Sequence, residues 1–383
     1  MRVLFVISNI NNRGGTEILA FNLLDKLNEY GVEAWIISEY KYIGVHPRVL
    51  SFSDNEYGML SCIKVNIFNK LCGNRQYDAC LASLIADKAK SLNVDWIINH
   101  TYDLIGALPT LSGVRTAQIF NWSVNGYESD ILKLASAKKW PLSILSRFSL
   151  AKSISRWHKA IQNMDRLIAL THSAISELEQ INLSTDRIVV IPNPLMHSMD
   201  SNRISSLNNK NIAFVGRLSH EKGVMRLLRI WQKVCPILED YTLSIYGEGQ
   251  LKTSIGQYIS DNALPRVKLM GFCANLEEIY CNADLCCVTS DTEGFGLVLI
   301  EAMYYGVPCI SFDCPVSPKE IIADAGITVS CFDENAYANK MIELLTDRKK
   351  KERIQWAALH RAKDFYIDVI IEKWINVLCD GCE

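Results

Sequence analysis

The chain has 383 residues, of which 49% are hydrophobic and 21% charged, and its formal net charge is −2. This length exceeds what one hydrophobic core usually holds, so we expect two domains of about 150–200 residues each. The near-neutral charge gives no general reason to expect a nucleic-acid partner, and the sequence contains no run of about 18 apolar residues that could span a membrane. The first apolar run, RVLFVI, is too short for a secretory leader. These features predict a cytoplasmic protein.

The 13 cysteines lie mostly singly within apolar runs such as GVPCIS. A reduced cysteine in such a run behaves as a small buried hydrophobic residue, which fits a reducing compartment. Cys379 and Cys382 alone have the spacing of a metal-binding pair. One pair without a second is weak grounds for zinc, so we predict a frayed C-terminal tail and no metal site there.

The first part of the chain alternates short β-branched runs with helical patterns. RVLFVIS is followed by the helical pattern TEILAFNLLDKLNEYG and then by EAWIIS, and later strand-like runs are DWIIN, TAQIFN and RLIALT. This alternation predicts a parallel sheet with helices on both faces. The polar, turn-rich segment HSMDSNRISSLNNK then interrupts it. We therefore predict that residues 1–196 form the first domain.

The same alternation restarts after this segment, with the strand-like runs NIAFVGRL, YTLSIYGEG, RVKLMGF, ADLCCVTS and GVPCISF. From about residue 335 the pattern is helical, and the closing DFYIDVIIEKWINVL is long and amphipathic. The sequence thus predicts an α/β protein of two doubly wound, Rossmann-like domains. The second comprises residues 197–364, and a C-terminal helix at about 365–383 is expected to pack back on the first.

Doubly wound sheets bind ligands at the carboxyl ends of their strands, so the chemistry should lie in strand-to-helix loops. In the first such loop, SNINNRGGTE, Gly14 and Gly15 permit a tight turn in which backbone amides approach a phosphate or a sugar. Thr16 is placed to cap the next helix. The loop does not match the dinucleotide-binding pattern G-x-G-x-x-G, and an ordinary strand-to-helix turn is the alternative interpretation.

The loop in FVGRLSHEKG carries two cations, Arg217 and Lys222, close to the start of a helix. Cations beside a helix N-terminus suit an anionic diphosphate, because the helix dipole and the free amides add to their field. Solvated surface charge is the alternative interpretation.

The segment SDTEGFGLVLIE places Glu293 just before a predicted helix that starts near Phe295 or Gly296, and Glu301 inside it. The amides of residues 294–297 are expected to form an anion-binding turn, with Glu301 one helical turn deeper on the face of Leu297. A carboxylate accepts hydrogen bonds from several hydroxyls, which suits ribose and a hexose. Helix capping by Glu293 and a solvated Glu301 are the alternatives. The apolar character of the helix favours a functional role, because an unpaired buried carboxylate is costly.

Two further loops end successive predicted strands on the same edge of the second sheet. YGEGQ contributes Gly247 and Gly249, and LMGF contributes Gly271 and Phe272. Such exposed backbone is where a flat base could lie.

In combination, these motifs resemble those of the family 4 retaining glycosyltransferases of the GT-B fold. VGRLSHEKG resembles the family's Arg and Lys motif, EGFGLVLIE its E-x7-E motif, NPL at Asn193–Leu195 its interdomain segment, and RGGTE its N-terminal glycine loop. FDCPVSPKEII resembles members that build bacterial surface polysaccharides. The resemblance spans nearly the whole chain and implies two domains facing a central cleft.

The resemblance implies a role for each matched residue. Arg217, Lys222 and Glu293 are the expected catalytic residues, with the two cations on the diphosphate and Glu293 at the donor sugar. The expected donor-binding residues are Gly14, Gly15, Gly216, Gly247, Gly271, Phe272, Gly294, Phe295, Gly296, Leu297 and Glu301, with Glu301 on the ribose. No cofactor or divalent metal is expected. Uridine is the expected base, and guanosine remains open.

Retention of configuration in this family implies front-side displacement, in which the departing phosphate takes the acceptor's proton. Many relatives carry a histidine after the strand RTAQIF, whereas this chain has Asn121, which cannot carry a proton. His100, at another strand end, is a candidate substitute, and a structural role for it is equally expected. Asn193 is a further candidate sugar or acceptor contact.

Residues 131–164 contain seven Lys or Arg and no acidic residue, with aromatic and aliphatic residues at roughly helical spacing. Such a segment fits either an anionic membrane surface or a solvated helix packed on the first sheet. The acceptor implied by the resemblance is a glycan or a lipid-linked oligosaccharide, so we expect a cytoplasmic enzyme, peripheral on the inner face of the membrane if the first alternative holds. A sugar-nucleotide epimerase and a non-catalytic nucleotide-sugar sensor remain alternatives.

Overall fold

The computed structural model describes residues 1–11, 15–65, 75–100, 108, 111, 113–120, 160–180, 185–195 and 203–380. The chain divides into two compact units, one of Met1–Pro192 with Ile370–Glu383 and one of Asn193–Val369. The sequence placed these boundaries at 196/197 and at about 364/365. Gly14, Asn121 and Cys382 lie outside the described residues, as does most of the segment 131–164. At the end of that segment, Ile161 and Met164 are buried.

The first unit contains a seven-stranded parallel sheet in the order β3-β2-β1-β4-β5-β6-β7. Its strands are β1 (Arg2–Ile7), β2 (Glu33–Ser38), β3 (Val49–Leu50), β4 (Trp96–Asn99), β5 (Arg115–Phe120), β6 (Arg166–Ala169) and β7 (Ile188–Val190). The strands predicted in the first half of the chain are confirmed, and most of their residues are fully buried, as expected for a parallel sheet covered on both faces.

Helices of the first unit are α1 (Gly15–Glu29), α2 (Asp54–Val65), α3 (Arg75–Leu92) and α4 (Ser173–Gln180). From Ile370 onward the C-terminal helix belongs to the same unit. There Trp374 packs edge-on against Phe5, with ring centroids 6.1 Å apart. The Trp96 indole N–H also donates to the carbonyl oxygen of Leu378 over 3.1 Å.

The second unit contains a six-stranded parallel sheet in the order β10-β9-β8-β11-β12-β13. Its strands are β8 (Asn211–Val215), β9 (Thr242–Tyr246), β10 (Val267–Gly271), β11 (Leu285–Val288), β12 (Cys309–Phe312) and β13 (Gly326–Val329). The order reverses between β8 and β11, which pair directly in parallel. Loops that leave the carboxyl ends of these two strands diverge to opposite faces of the sheet, and the crevice between them is where doubly wound folds bind ligands.

The helices that follow are α5 (Val224–Val234), α6 (Lys252–Asp261), α7 (Leu276–Cys281), α8 (Leu297–Tyr304), α9 (Pro318–Ile322), α10 (Glu334–Thr346), α11 (Arg348–Ala362) and α12 (Ile367–Cys379). α5 turns its apolar stripe, including Leu228 and Trp231, into the core of the unit. Among the described residues, no helix is both long enough and apolar enough to cross a bilayer.

A buried ion pair joins α11 to this sheet. The Lys351 ammonium lies 3.4 Å from the carboxylate of Asp284, which has no exposed surface and immediately precedes β11. Lys351 also donates to the carbonyl oxygen of Leu207 over 2.8 Å. The second carboxylate oxygen of Asp284 accepts the backbone N–H of Asn209 over 2.8 Å. This pair holds the loop before β8, the start of β11 and the helix α11 together.

Candidate functional site

The candidate site lies at the switch point of the second sheet, where β8 and β11 deliver two loops to the same edge. The loop after β8 runs from Gly216 into a short 3₁₀ helix, His220–Lys222, and then into α5. Gly223, between the two helices, has φ +63°, and a Cβ there would lie 1.9 Å from the carbonyl oxygen of Thr289. Glycine at 223 therefore lets the β8 loop lie directly against the β11 loop.

The two cations of the first loop have different surroundings. The Arg217 side chain is 70% exposed, and its guanidinium lies 3.5 Å from Glu221 on the same loop. Lys222 is 27% exposed, and its ammonium donates to Glu293 Oε1 over 2.7 Å. The loop thus presents one exposed cation beside an exposed carboxylate and one partly buried cation bound to a buried carboxylate.

Glu293 is buried at the end of the β11 loop. The Oε1 atom that binds Lys222 also accepts the Ser290 hydroxyl over 2.6 Å, and the Ser317 hydroxyl donates to the Glu293 carbonyl oxygen over 3.1 Å. The N-cap residue of α8 is Gly296, and the Glu293 carboxylate instead binds Lys222 and Ser290, which argues against the capping role considered for it. The structure brings Lys222 and Glu293 together, which the sequence had placed on separate loops.

Three residues that the sequence analysis did not single out, Thr289, Asp291 and Arg226, hold the two loops together. The Thr289 hydroxyl donates to the carbonyl oxygens of Lys222 and Gly223, and the Asp291 N–H donates to the carbonyl oxygen of Glu221. Arg226, in the first turn of α5, donates to the Thr289 carbonyl oxygen over 2.6 Å and to Asp291 Oδ1 over 2.7 Å. These hydrogen bonds would therefore still hold the two loops together if the Lys222–Glu293 ion pair opened.

Helix α8 begins at Leu297 with Gly296 as its N-cap, one or two residues later than expected. Gly294 and Phe295 precede the cap, and the Phe295 ring is buried edge-on against Phe365 at 5.8 Å. Its ring is therefore a packing element, and its backbone remains the part that could meet a donor.

Glu301 lies one turn into α8 and is partly buried. Its Oε2 atom accepts the hydroxyl of Tyr280 over 3.3 Å, and the Tyr280 side chain is fully buried. Burial raises the pKa of the Glu301 carboxyl to about 7, although the Tyr280 hydroxyl opposes that shift. The predicted solvated alternative is therefore wrong, and the carboxyl changes charge close to neutral pH.

The glycines at the ends of β9 and β10 bring backbone into contact along the same edge. Gly247 has φ +140°, and a Cβ there would lie 1.9 Å from the carbonyl oxygen of Gly216. The Gly247 N–H donates to the carbonyl oxygen of Gly271 over 2.8 Å, and the Phe272 side chain that follows is 67% exposed. This edge offers flat backbone beside an exposed aromatic ring.

Candidates outside this cluster have other surroundings. His100 is buried at the end of β4 with its ring 5.8 Å from that of Phe5, and burial lowers the pKa of the imidazole to about 4. That neutral, buried ring favours the structural role considered for it. Gly15 is the first residue of α1, and Asn193 is buried at the start of the second unit.

This geometry agrees with a comparison against known protein families. Residues 209–347 match the family model described as glycosyl transferases group 1, and they cover both loops of the site. This part of the second unit is thus similar to the group 1 glycosyltransferases.

Two curated glycosyltransferases are also similar to this chain. An uncharacterized glycosyltransferase of Haemophilus influenzae is 25% identical over 98% of this chain and 99% of its own length. The GalNAc-α-(1→4)-GalNAc-α-(1→3)-diNAcBac-PP-undecaprenol α-1,4-N-acetyl-D-galactosaminyltransferase of Campylobacter jejuni is 32% identical over 51% of this chain. That match spans 55% of the relative.

A solved structure shares the fold of both units. HepE from Anabaena, crystallised with UDP, superposes with a TM-score of 0.75 at 16% identity, covering 99% of this chain and 100% of that one. The predicted fold class, two parallel-sheet Rossmann-like units of the GT-B type, is confirmed.

The candidate site combines groups that suit one kind of substrate. Arg217 and Lys222 supply positive charge at a helix start, which favours a diphosphate. Glu293 and Glu301 supply acceptors for hydroxyl groups. Together they can bind a molecule that carries both an anion and a polyol.

Proposed function

We propose that the protein is a retaining glycosyltransferase of family 4 that transfers a hexose or an N-acetylhexosamine from a nucleotide sugar, UDP-linked, to a glycan acceptor. The acceptor belongs to bacterial surface polysaccharide synthesis, such as O-antigen, capsule or lipopolysaccharide. The observation that carries the proposal is the Lys222–Glu293 pair, at 2.7 Å, beside the exposed Arg217 at the sheet's switch point.

Donor binding exchanges the partner of Lys222. In the free protein its ammonium neutralises Glu293, which sits in a buried setting where an unpaired charge would be costly. A diphosphate offers the ammonium a stronger anionic partner, and the released Glu293 can then accept hydroxyls of the donor sugar. The Thr289 and Arg226 contacts keep the loops in place during this exchange.

Catalysis follows from the charge that develops on the leaving group. As the glycosidic bond breaks, the nucleoside diphosphate gains negative charge, which Arg217, Lys222 and the start of α5 stabilise more than they stabilise the intact donor. We propose that the departing phosphate takes the proton from the hydroxyl group of the glycan that receives the sugar. No histidine is then required. Arg217 and Lys222 supply the positive charge for this step, so the proposed reaction uses no divalent metal.

A lipid-linked acceptor is supported by the Campylobacter relative, whose name contains an undecaprenol diphosphate glycan. We propose that residues 131–164 contact an anionic membrane, because they contain seven Lys or Arg and no acidic residue. Flotation with anionic and with neutral liposomes at low salt checks it. Co-flotation with the anionic vesicles is expected, and failure to float with either would refute it.

The function is tested by thermal unfolding in the presence of UDP, GDP and their sugars, followed by an assay for UDP release. A ligand that binds only the folded state raises the apparent melting temperature, so UDP compounds are expected to raise it. Release of UDP should then require a glycan acceptor. Formation of an epimer from the donor alone would identify an epimerase. If the protein binds UDP but releases no UDP from a nucleotide sugar with any surface-polysaccharide acceptor, it would be a sensor.

UDP affinity is expected to rise with pH between about 5 and 7 and to level off above. Ribose hydroxyls donate to ionised Glu301, whose pKa in the free protein is about 7 against a usual 4.5, so binding must expel a proton below pH 7. In that range the dissociation constant should fall by up to about tenfold per pH unit. Calorimetric titration across this range measures it.

Glu301→Gln is the control for the pH series, because the terminal phosphate of UDP also loses a proton near pH 6. The variant should bind UDP more weakly and retain only the shallower dependence that comes from the phosphate. An unchanged pH profile in the variant would remove Glu301 from the ribose site.

A further inference from the structure

The hydroxyl of Ser219 is buried and has no hydrogen-bond partner within the part of the chain that the structure describes. Ser219 lies between Arg217 and Lys222, at the residue that precedes the 3₁₀ helix, and it is 7% exposed. Its side chain does not cap that helix. The backbone around it is satisfied, since its N–H donates to the Arg217 carbonyl oxygen over 2.9 Å and the Leu218 N–H donates to the Glu248 carbonyl oxygen over 2.9 Å.

This hydroxyl differs from those of the other buried serines of the second unit. Each of these five donates to a protein oxygen at 2.6 to 3.1 Å: Ser205, Ser244, Ser290, Ser311 and Ser317. Burying a hydroxyl without a partner lowers stability, because the group loses its hydrogen bonds to water and gains none in return. Such a group at the edge of a ligand site indicates a partner that arrives with the ligand.

We infer that the Ser219 hydroxyl is a ligand of the donor's diphosphate, donating to a phosphate oxygen between the two cations. The inference rests on the proposed function and adds a neutral donor to the charged ones. Phosphate oxygens accept several hydrogen bonds, and a hydroxyl bonded to an ionised acceptor makes a stronger bond than one between neutral groups. Rotation about the Cα–Cβ bond moves the oxygen among staggered positions without a change in the backbone.

The experiment compares Ser219→Ala with the wild type in two measurements, thermal unfolding without ligand and calorimetric titration with UDP. If the hydroxyl gains its partner only from the donor, its removal leaves the melting temperature of the free protein unchanged or higher. The same change weakens UDP binding by about tenfold, the loss of one hydrogen bond to a charged acceptor. Ser219→Cys, close in size but a weaker donor, is expected to lie between the two.

Ser205→Ala is the matched control, because Ser205 is a buried serine whose hydroxyl donates to the Ala283 carbonyl oxygen over 2.6 Å. It should lower the melting temperature and leave UDP affinity unchanged. If Ser219→Ala instead behaves like Ser205→Ala, the hydroxyl is satisfied within the free protein and the inference is overturned. A wild-type chain that binds neither UDP nor GDP overturns the proposed function as well, so the two failures are distinguishable.

Discussion

Replacing Lys222 with glutamine is expected to lower kcat/KM for the nucleotide-sugar donor by about 10²–10³-fold, equivalent to about 2.7–4 kcal/mol of lost transition-state stabilisation. Glutamine is somewhat shorter than lysine and keeps hydrogen-bond donors, but it removes the positive charge that stabilises the developing negative charge of the diphosphate. The loss should fall mainly on kcat, because that charge is larger in the transition state than in the bound donor. Steady-state kinetics of UDP release measure the effect.

Lys233→Gln is the matched control for this change. Lys233 lies near the end of α5, is 42% exposed and faces Glu334 at 3.7 Å, so its loss should leave both kinetic constants unchanged. Lys222→Gln also leaves Glu293 with Ser290 in a buried setting, so its melting temperature must be measured beside its kinetics. A folded variant with undiminished kcat/KM would show that the diphosphate binds elsewhere.

The sequence predicted the parts of the fold that depend on local patterning. Continuous apolar runs are typical of strands buried on both faces, and each run that was singled out became a strand of one of the two parallel sheets. Once a parallel sheet is accepted, the strand-to-helix loops are where ligand-binding residues are expected, so Lys222 and Glu293 could be named before their contact was known. The register that brings them to 2.7 Å is set by the pairing of β8 with β11.

Contacts between residues distant in sequence could not be predicted in this way. Arg226 reads as an ordinary cation on an amphipathic helix, yet its guanidinium binds the Thr289 carbonyl oxygen on another loop. Tyr280 reads as a core residue, and its bond to Glu301 depends on how α7 packs beside α8. For Glu301 the sequence indicated burial but gave no partner, and the partner helps to decide how far the pKa shifts.

Replacing Asp284 with alanine is expected to lower the free energy of unfolding of the second unit by about 3–5 kcal/mol. The change leaves the Lys351 ammonium buried, with 5% of the residue exposed, and without its counter-ion. It also removes the acceptor of the Asn209 and Lys210 backbone N–H groups, at 2.8 and 3.3 Å. Urea-induced unfolding followed by circular dichroism gives the midpoint and the slope from which the loss is obtained.

The double variant Asp284→Leu, Lys351→Met separates the cost of an orphaned charge from the worth of the pair itself. Removing both charges and filling the space with apolar atoms should recover a substantial part of the lost stability. The attraction within a buried ion pair does little more than offset the free-energy cost of removing both charges from water. Full recovery is not expected, since the two backbone N–H groups still lack their acceptor. The exposed pair Arg348–Glu352, opened by Glu352→Gln, should change the free energy of unfolding by less than about 1 kcal/mol. If the double variant is as unstable as Asp284→Ala, the backbone hydrogen bonds and not the orphaned ammonium account for the loss.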